Sequence, residues 1–142
     1  HKAAVERALD IAKAKGAKRA LLLPVSAPFH CALMQPAADA MADALANVTM
    51  HAPSAPVVTN VTASATSDPA EIRKRLVEQV TGTVRWRECT GFMAGQGVKL
   101  FVELGAGKVL TGLAKRNAPE AQGLAIGAPG DVAAALPLLQ QG

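Results

Sequence analysis

The residue with the most obvious chemical potential is His30, in the stretch Ser26-Ala27-Pro28-Phe29-His30-Cys31. It lies between a short apolar run and a helical stripe, where α/β proteins place many functional loops. A histidine there could act as a general base, or it could be a loop histidine with no role. The amide end of a helix favours a neutral imidazole, which suits base work. Gln79 is the second candidate. With Ile72 as zero and about 100° per residue, Leu76 falls near 40°, Val80 near 80° and Gln79 near −20°, so a polar amide sits inside an apolar stripe. A buried amide needs partners, so Gln79 either braces backbone or orients a site group.

Other candidates carry less. Gly105-Ala106-Gly107-Lys108 invites a phosphate-loop reading, but Leu110 stands where the dinucleotide fingerprint needs its third glycine, and Walker spacing is absent. A tight strand-to-helix turn explains those glycines as well. His30, Cys31, His51 and Cys89 lack paired metal-ligand spacing, so no metal is expected. For thiol catalysis, Cys31 is expected to point away from the adjacent His30, and Cys89 sits on a helix stripe as a core residue would. There is no Gly-x-Ser-x-Gly elbow, so a histidine base would lack its nucleophile within these residues.

These groups need elements to hold them. The stripe Val5, Ala8, Leu9, Ala12 predicts a helix over Lys2 to Lys15, stopped by Gly16. Ala20 to Leu23, closed by Pro24, reads as a buried strand. Leu33, Ala37, Met41, Ala44 and Val48 form a second helical stripe, with Pro36 confined to its first turn. Val57 and Val58 are the heart of a strand ending near Val61, followed by a loop of Thr, Ser and Ala. Asp68-Pro69-Ala70-Glu71 opens a helix to about Val80, with Asp68 as cap and Glu71 three residues on. Further helices are expected at Trp86 to Ala94, Lys108 to Arg116 and Asp131 to Leu139, and strands at Leu100 to Leu104 and Leu124 to Ile126. The alternation predicts an α/β fold.

The chain of 142 residues is 50% hydrophobic and 18% charged, which places it among globular domains rather than disordered segments. Two cysteines make no disulfide framework and point to a reducing compartment, and no apolar run approaches a membrane span. No basic-then-apolar leader opens the chain, so a cytoplasmic location is expected. The net charge of +4 is concentrated: residues 1–19 hold six basic groups and two acids. With no aromatic residue near that cluster, nucleic-acid stacking is disfavoured, leaving a solvated face or an acidic protein partner. Residues 20–67 carry only Asp39 and Asp43 as charged groups, so something should cover them. That stretch and the start at His1 suggest part of a longer polypeptide.

Several stretches together resemble the C-terminal half of bacterial malonyl-CoA:acyl carrier protein transacylases. They are Gly16-Ala17-Lys18-Arg19-Ala20, Leu23-Pro24-Val25-Ser26, His30 to Met34 with Pro36-Ala37-Ala38, Pro56-Val57-Val58 with Asn60-Val61, and Gly105 to Leu113. The resemblance implies a ping-pong transfer of malonyl from malonyl-CoA, through a serine ester, to the phosphopantetheine thiol of acyl carrier protein, with no bound cofactor. It makes His30 the base and gives Gln79 the backbone carbonyl that holds the imidazole. Phe29 matches a position that disfavours a 2-methyl branch, Asn60 one near the active-site cleft, and Lys18 and Arg19 a basic surface facing the carrier protein. Residues 1–25 would be the last helix and strand of a ferredoxin-like small subdomain, and 26–142 the C-terminal part of a hydrolase-like core. The serine elbow, the malonyl-binding arginine and most of the oxyanion hole belong to the N-terminal half. The chain is therefore expected to be a fragment, inactive by itself.

Overall fold

A computed structural model describes residues 1–140. Helix α1 spans Lys2–Ala14 and stops where Gly16 takes φ +89°, a left-handed conformation that costs glycine nothing; the Gly16 amide donates to Lys13 O and the Ala17 amide to Ala12 O. The chain then runs without helix or strand to Pro28, with a tight turn where the Val25 amide donates to Leu23 O, passes through a 3₁₀ segment at Ala32–Met34, and enters α2, Gln35–Ala46, with Pro36 in the first turn. A hairpin follows, in which β1 (Val57–Thr59) pairs antiparallel with β2 (Ser64–Thr66), Val57 opposite Thr66. Next come α3 (Pro69–Thr81) and α4 (Trp86–Gly95). A βαβ unit closes the order: β3 (Leu100–Leu104), α5 (Val109–Asn117) and β4 (Gln122–Ile126), the strands parallel with Leu100 opposite Gln122, and then α6 (Pro129–Leu139). The architecture is α/β, as the alternation of periods predicts.

Three expectations need correction. Ala20 to Leu23 forms no strand, because no neighbouring strand among the described residues pairs with it; Leu21 and Leu23 are 63% and 75% exposed. A strand is defined by its ladder, and an apolar run supplies only half of one. The loop of Thr, Ser and Ala is the returning strand β2, reached by a turn at Asn60–Ala63 in which Ala63 takes φ +54°. Glu71 does not complete a capping box. Asp68 accepts from the Ala70 amide at 2.9 Å, while its own amide donates to Thr66 Oγ1 and Glu71 pairs with Arg75 one turn on. The start of β4 at Gln122 and of α6 at Pro129 extends both elements by two residues beyond the apolar pattern.

The core is thin. Buried side chains among the described residues are Ala38, Cys89, Thr90, Ala114, Ala118 and Ala135. The accessible surface is 10071 Å², whereas a compact monomer of 14.5 kDa exposes about 6,900 Å². The excess is roughly 3,200 Å², and Leu21, Leu22, Leu23, Val25, Phe29 and Leu33 are among the large apolar side chains left exposed. An open groove of about 820 Å³ runs beside them, between α1 and the segment 21–28.

Candidate active site

His30 stands just ahead of the 3₁₀ turn, with φ +58°. Left-handed backbone is costly for a residue with a Cβ, and such outliers persist where the surroundings enforce them. One enforcing contact is local: Cys31 Sγ donates to Pro28 O at 3.1 Å, closing the turn around His30. The other crosses the fold. His30 Nδ1 lies 3.0 Å from the backbone carbonyl of Gln79, 49 residues away on α3. A carbonyl can only accept, so Nδ1 carries the proton and donates. Nε2 is then the nitrogen with the free lone pair, the form a general base requires. The ring thus meets the carbonyl end of α3, while its backbone stands just before the 3₁₀ turn that leads into α2.

The Gln79 carbonyl is available because of where α3 ends. The last four carbonyls of a helix have no amide partner within it. Glu78 O is satisfied by the Gly82 amide at 2.9 Å, while Gln79 O, one residue on, is left for the imidazole. The Gln79 side chain braces backbone, while its carbonyl orients the ring. Its Nε2 donates to Gly82 O at 3.0 Å and lies 3.4 Å from His30 Nδ1. With Nδ1 donating to the carbonyl, Nε2 has nothing to donate to there, so Gly82 O is its partner; Oε1 is buried without one.

The remaining predicted residues lie apart from this pair. Phe29 precedes His30 and is 52% exposed. Asn60 sits in the β1–β2 turn, where its carbonyl accepts from the Arg85 amide at 3.0 Å and its Oδ1 lies 3.5 Å from Cys89 Sγ; no hydrogen bond joins it to His30. Lys18 and Arg19 are exposed beyond the end of α1 and form no ion pair among the described residues. Cys89 is 1% exposed, and burial pushes its thiol pKa up, against thiolate chemistry. No group of three or more His, Cys, Asp or Glu among the described residues could hold a metal ion, and no helix is long and apolar enough to cross a membrane.

The glycine block resolves into a turn. Gly105 and Gly107 take φ +127° and +101°, and the α5 amides that a phosphate would need are already used. The Glu103 carboxylate accepts from Leu110 N at 3.2 Å, Thr111 N at 2.8 Å and Thr111 Oγ1 at 2.7 Å. An internal anion occupies the helix start, which removes the nucleotide reading. The Thr111 hydroxyl first, and then the backbone amides, hold the Glu103 carboxyl below the usual carboxylate range. Sequence reasoning missed Glu103 and also Arg73. The available signals were an acid ending an apolar strand before a glycine turn, and a cation near 100° on the α3 wheel, bordering the apolar stripe.

No family model matches the chain. Individual proteins do. The malonyl CoA-acyl carrier protein transacylase of Salmonella typhimurium is 52% identical over 136 residues, which are 96% of this chain and 44% of that protein. The Bacillus subtilis protein of the same name is 37% identical over 137 residues. An acyl-carrier-protein-S-malonyltransferase structure from Bartonella henselae superposes with a TM-score of 0.90 at 52% identity, over 96% of this chain and 44% of that one. The chain belongs to the malonyl CoA-acyl carrier protein transacylase family. It corresponds to the C-terminal part and spans less than half the length of the curated relatives it matches. Another similar structure, with a TM-score of 0.89 at 45% identity, is described as a type II PKS acyl-carrier protein in complex with its malonyl-transacylase.

Proposed function

We propose that this chain is the base-bearing part of a malonyl-CoA:acyl carrier protein transacylase. The observation that carries the reading is the His30–Gln79 pair: a histidine in strained backbone whose Nδ1–H is held by a helix-terminal carbonyl, leaving Nε2 free. In the proposed reaction, Nε2 takes the proton of a serine hydroxyl as its oxygen attacks the malonyl thioester. Coenzyme A leaves as a thiol, protonated by the imidazolium. The same nitrogen then takes the proton of the phosphopantetheine thiol on acyl carrier protein, which attacks the serine ester and regenerates the hydroxyl. A backbone carbonyl thus does the orienting work that a carboxylate does in a Ser-His-Asp triad.

The serine, the group that pairs with the malonyl carboxylate and most of the oxyanion hole would come from polypeptide outside residues 1–142. That part would seat on the exposed face of Leu21, Leu22, Leu23, Val25 and Leu33 and in the adjoining groove. Residues 1–25 would then end a ferredoxin-like subdomain, and 26–142 would complete a hydrolase-like core, in a cytoplasmic enzyme. Phe29 would narrow the acyl site, and Asn60 would support the cleft through the β1–β2 turn. Lys18 and Arg19 would receive the acidic carrier protein. Replacing His30 with Ala in a full-length polypeptide carrying this sequence tests the reading: transfer should be abolished with the fold intact, and wild-type turnover would refute it.

A further inference from the structure

Two polar ties join the stretch 30–48 to helix α3, and they lie at opposite ends of the contact. One is the His30–Gln79 pair. The other is Arg73, six residues or about 9 Å earlier on α3. Its guanidinium forks onto the end of α2, with Nη1 donating to Leu45 O and Nη2 to Val48 O at 2.7 Å. No other hydrogen bond or ion pair links the two among the described residues.

The apolar contact between these helices is poorly suited to fixing their register. Six of the twelve residues of α2 are alanine, and Ala38 is its one buried side chain. Helices register by side-chain ridges entering grooves, and alanines make shallow ridges. The planar fork of an arginine on two carbonyls is a directional contact that sets both separation and slide. His30 connects to α2 through only one 3₁₀ turn, so any slide of α2 along α3 is passed to the imidazole.

We propose that Arg73 is a positioning residue for the histidine base: its two-carbonyl fork locks α2 on α3 and so holds the imidazole against the Gln79 carbonyl. Its catalytic consequence rests on the acyl-transfer reading, whereas its structural content does not.

The test uses a full-length polypeptide carrying this sequence, with Arg73→Lys and Arg73→Met, and Arg75→Met as a control. Arg75 lies on the same helix but, among the described residues, pairs only with Glu71 and Glu78 of α3. The Nδ1–H proton resonance of His30 reports the hydrogen bond directly, and steady-state kinetics with malonyl-CoA report its use. In both Arg73 variants the resonance should shift or broaden, and kcat should fall roughly ten- to a hundredfold, as about 1 Å of misplacement produces. KM for malonyl-CoA should stay within about twofold, and Arg75→Met should change neither quantity. Lysine keeps the charge but offers a single point donor, so Arg73→Lys carries the test where Arg73→Met does not fold. A folded Arg73→Lys with wild-type resonance and kcat would overturn the proposal. A wild-type protein without transfer activity would remove the functional reading, and the resonance would still decide the role of Arg73.

Discussion

The backbone of His30 allows a thermodynamic test of whether the site is built under strain. At φ +58° a residue with a Cβ is disfavoured by about 1–2 kcal/mol relative to glycine. Glycine loses more freedom on folding, which returns roughly 0.5–1 kcal/mol. Replacing His30 with Gly or with Ala removes the same Nδ1 hydrogen bond, so that loss cancels between the two variants. The Gly variant should therefore be the more stable by roughly 0.5–1 kcal/mol. At an m-value of about 2 kcal/mol/M in urea, this is a midpoint difference of about 0.4 M. Equilibrium urea unfolding followed by circular dichroism resolves it. Asn, which tolerates the left-handed region, should fall between the two. An Ala variant as stable as the Gly variant would show that position 30 is not held in left-handed backbone, and the argument from strain to function would fail.

Three further outcomes are expected. The Glu103 carboxyl is held low in the folded state, so its stabilising effect is complete above the ordinary carboxylate range and is lost as pH falls through the depressed value. Glu103→Gln should lower the urea midpoint at pH 7, and its difference from wild type should vanish in acid; a constant difference would contradict the helix-anchoring role. Cys89, buried and with a raised pKa, should resist iodoacetamide in the native state and react in urea, while the partly exposed Cys31 reacts first; peptide mass spectrometry gives the order, and early Cys89 labelling would contradict the packing of α4. Reversing Lys18 and Arg19 to Glu should weaken binding of an acidic carrier protein sharply at low salt and less at high salt, as isothermal titration can measure. Unchanged binding would remove that face from the interface.

Much of this fold was legible because its periods are local. The Asp68-Pro69 start of α3, the Gly16 stop of α1 and the β3–α5–β4 unit each depend on residues within a few positions of one another. Ala20 to Leu23 failed because a strand needs a partner that apolar pattern alone cannot supply. Strand β2 was missed because Ser64-Ala65-Thr66 has no apolar alternation; its backbone pairing with β1 holds it, and Thr62 Oγ1 links Thr59 Oγ1 and Ser64 Oγ at the turn. In the site, the wheel singled out Gln79 through its side chain, yet the group that meets His30 is its carbonyl, which spacing cannot reveal. Arg73 and Glu103 act on backbone atoms 28 and 8 residues away, a choice that no local rule encodes.

The central claim is that His30 serves a serine supplied from outside these residues. The most direct measurement is intact-mass and peptide-level mass spectrometry of a full-length polypeptide carrying this sequence, after incubation with malonyl-CoA. The account predicts a malonyl ester on a serine outside residues 1–142, and no stable ester when His30 is replaced by Ala. A label within residues 1–142, or none on the folded protein, would contradict it.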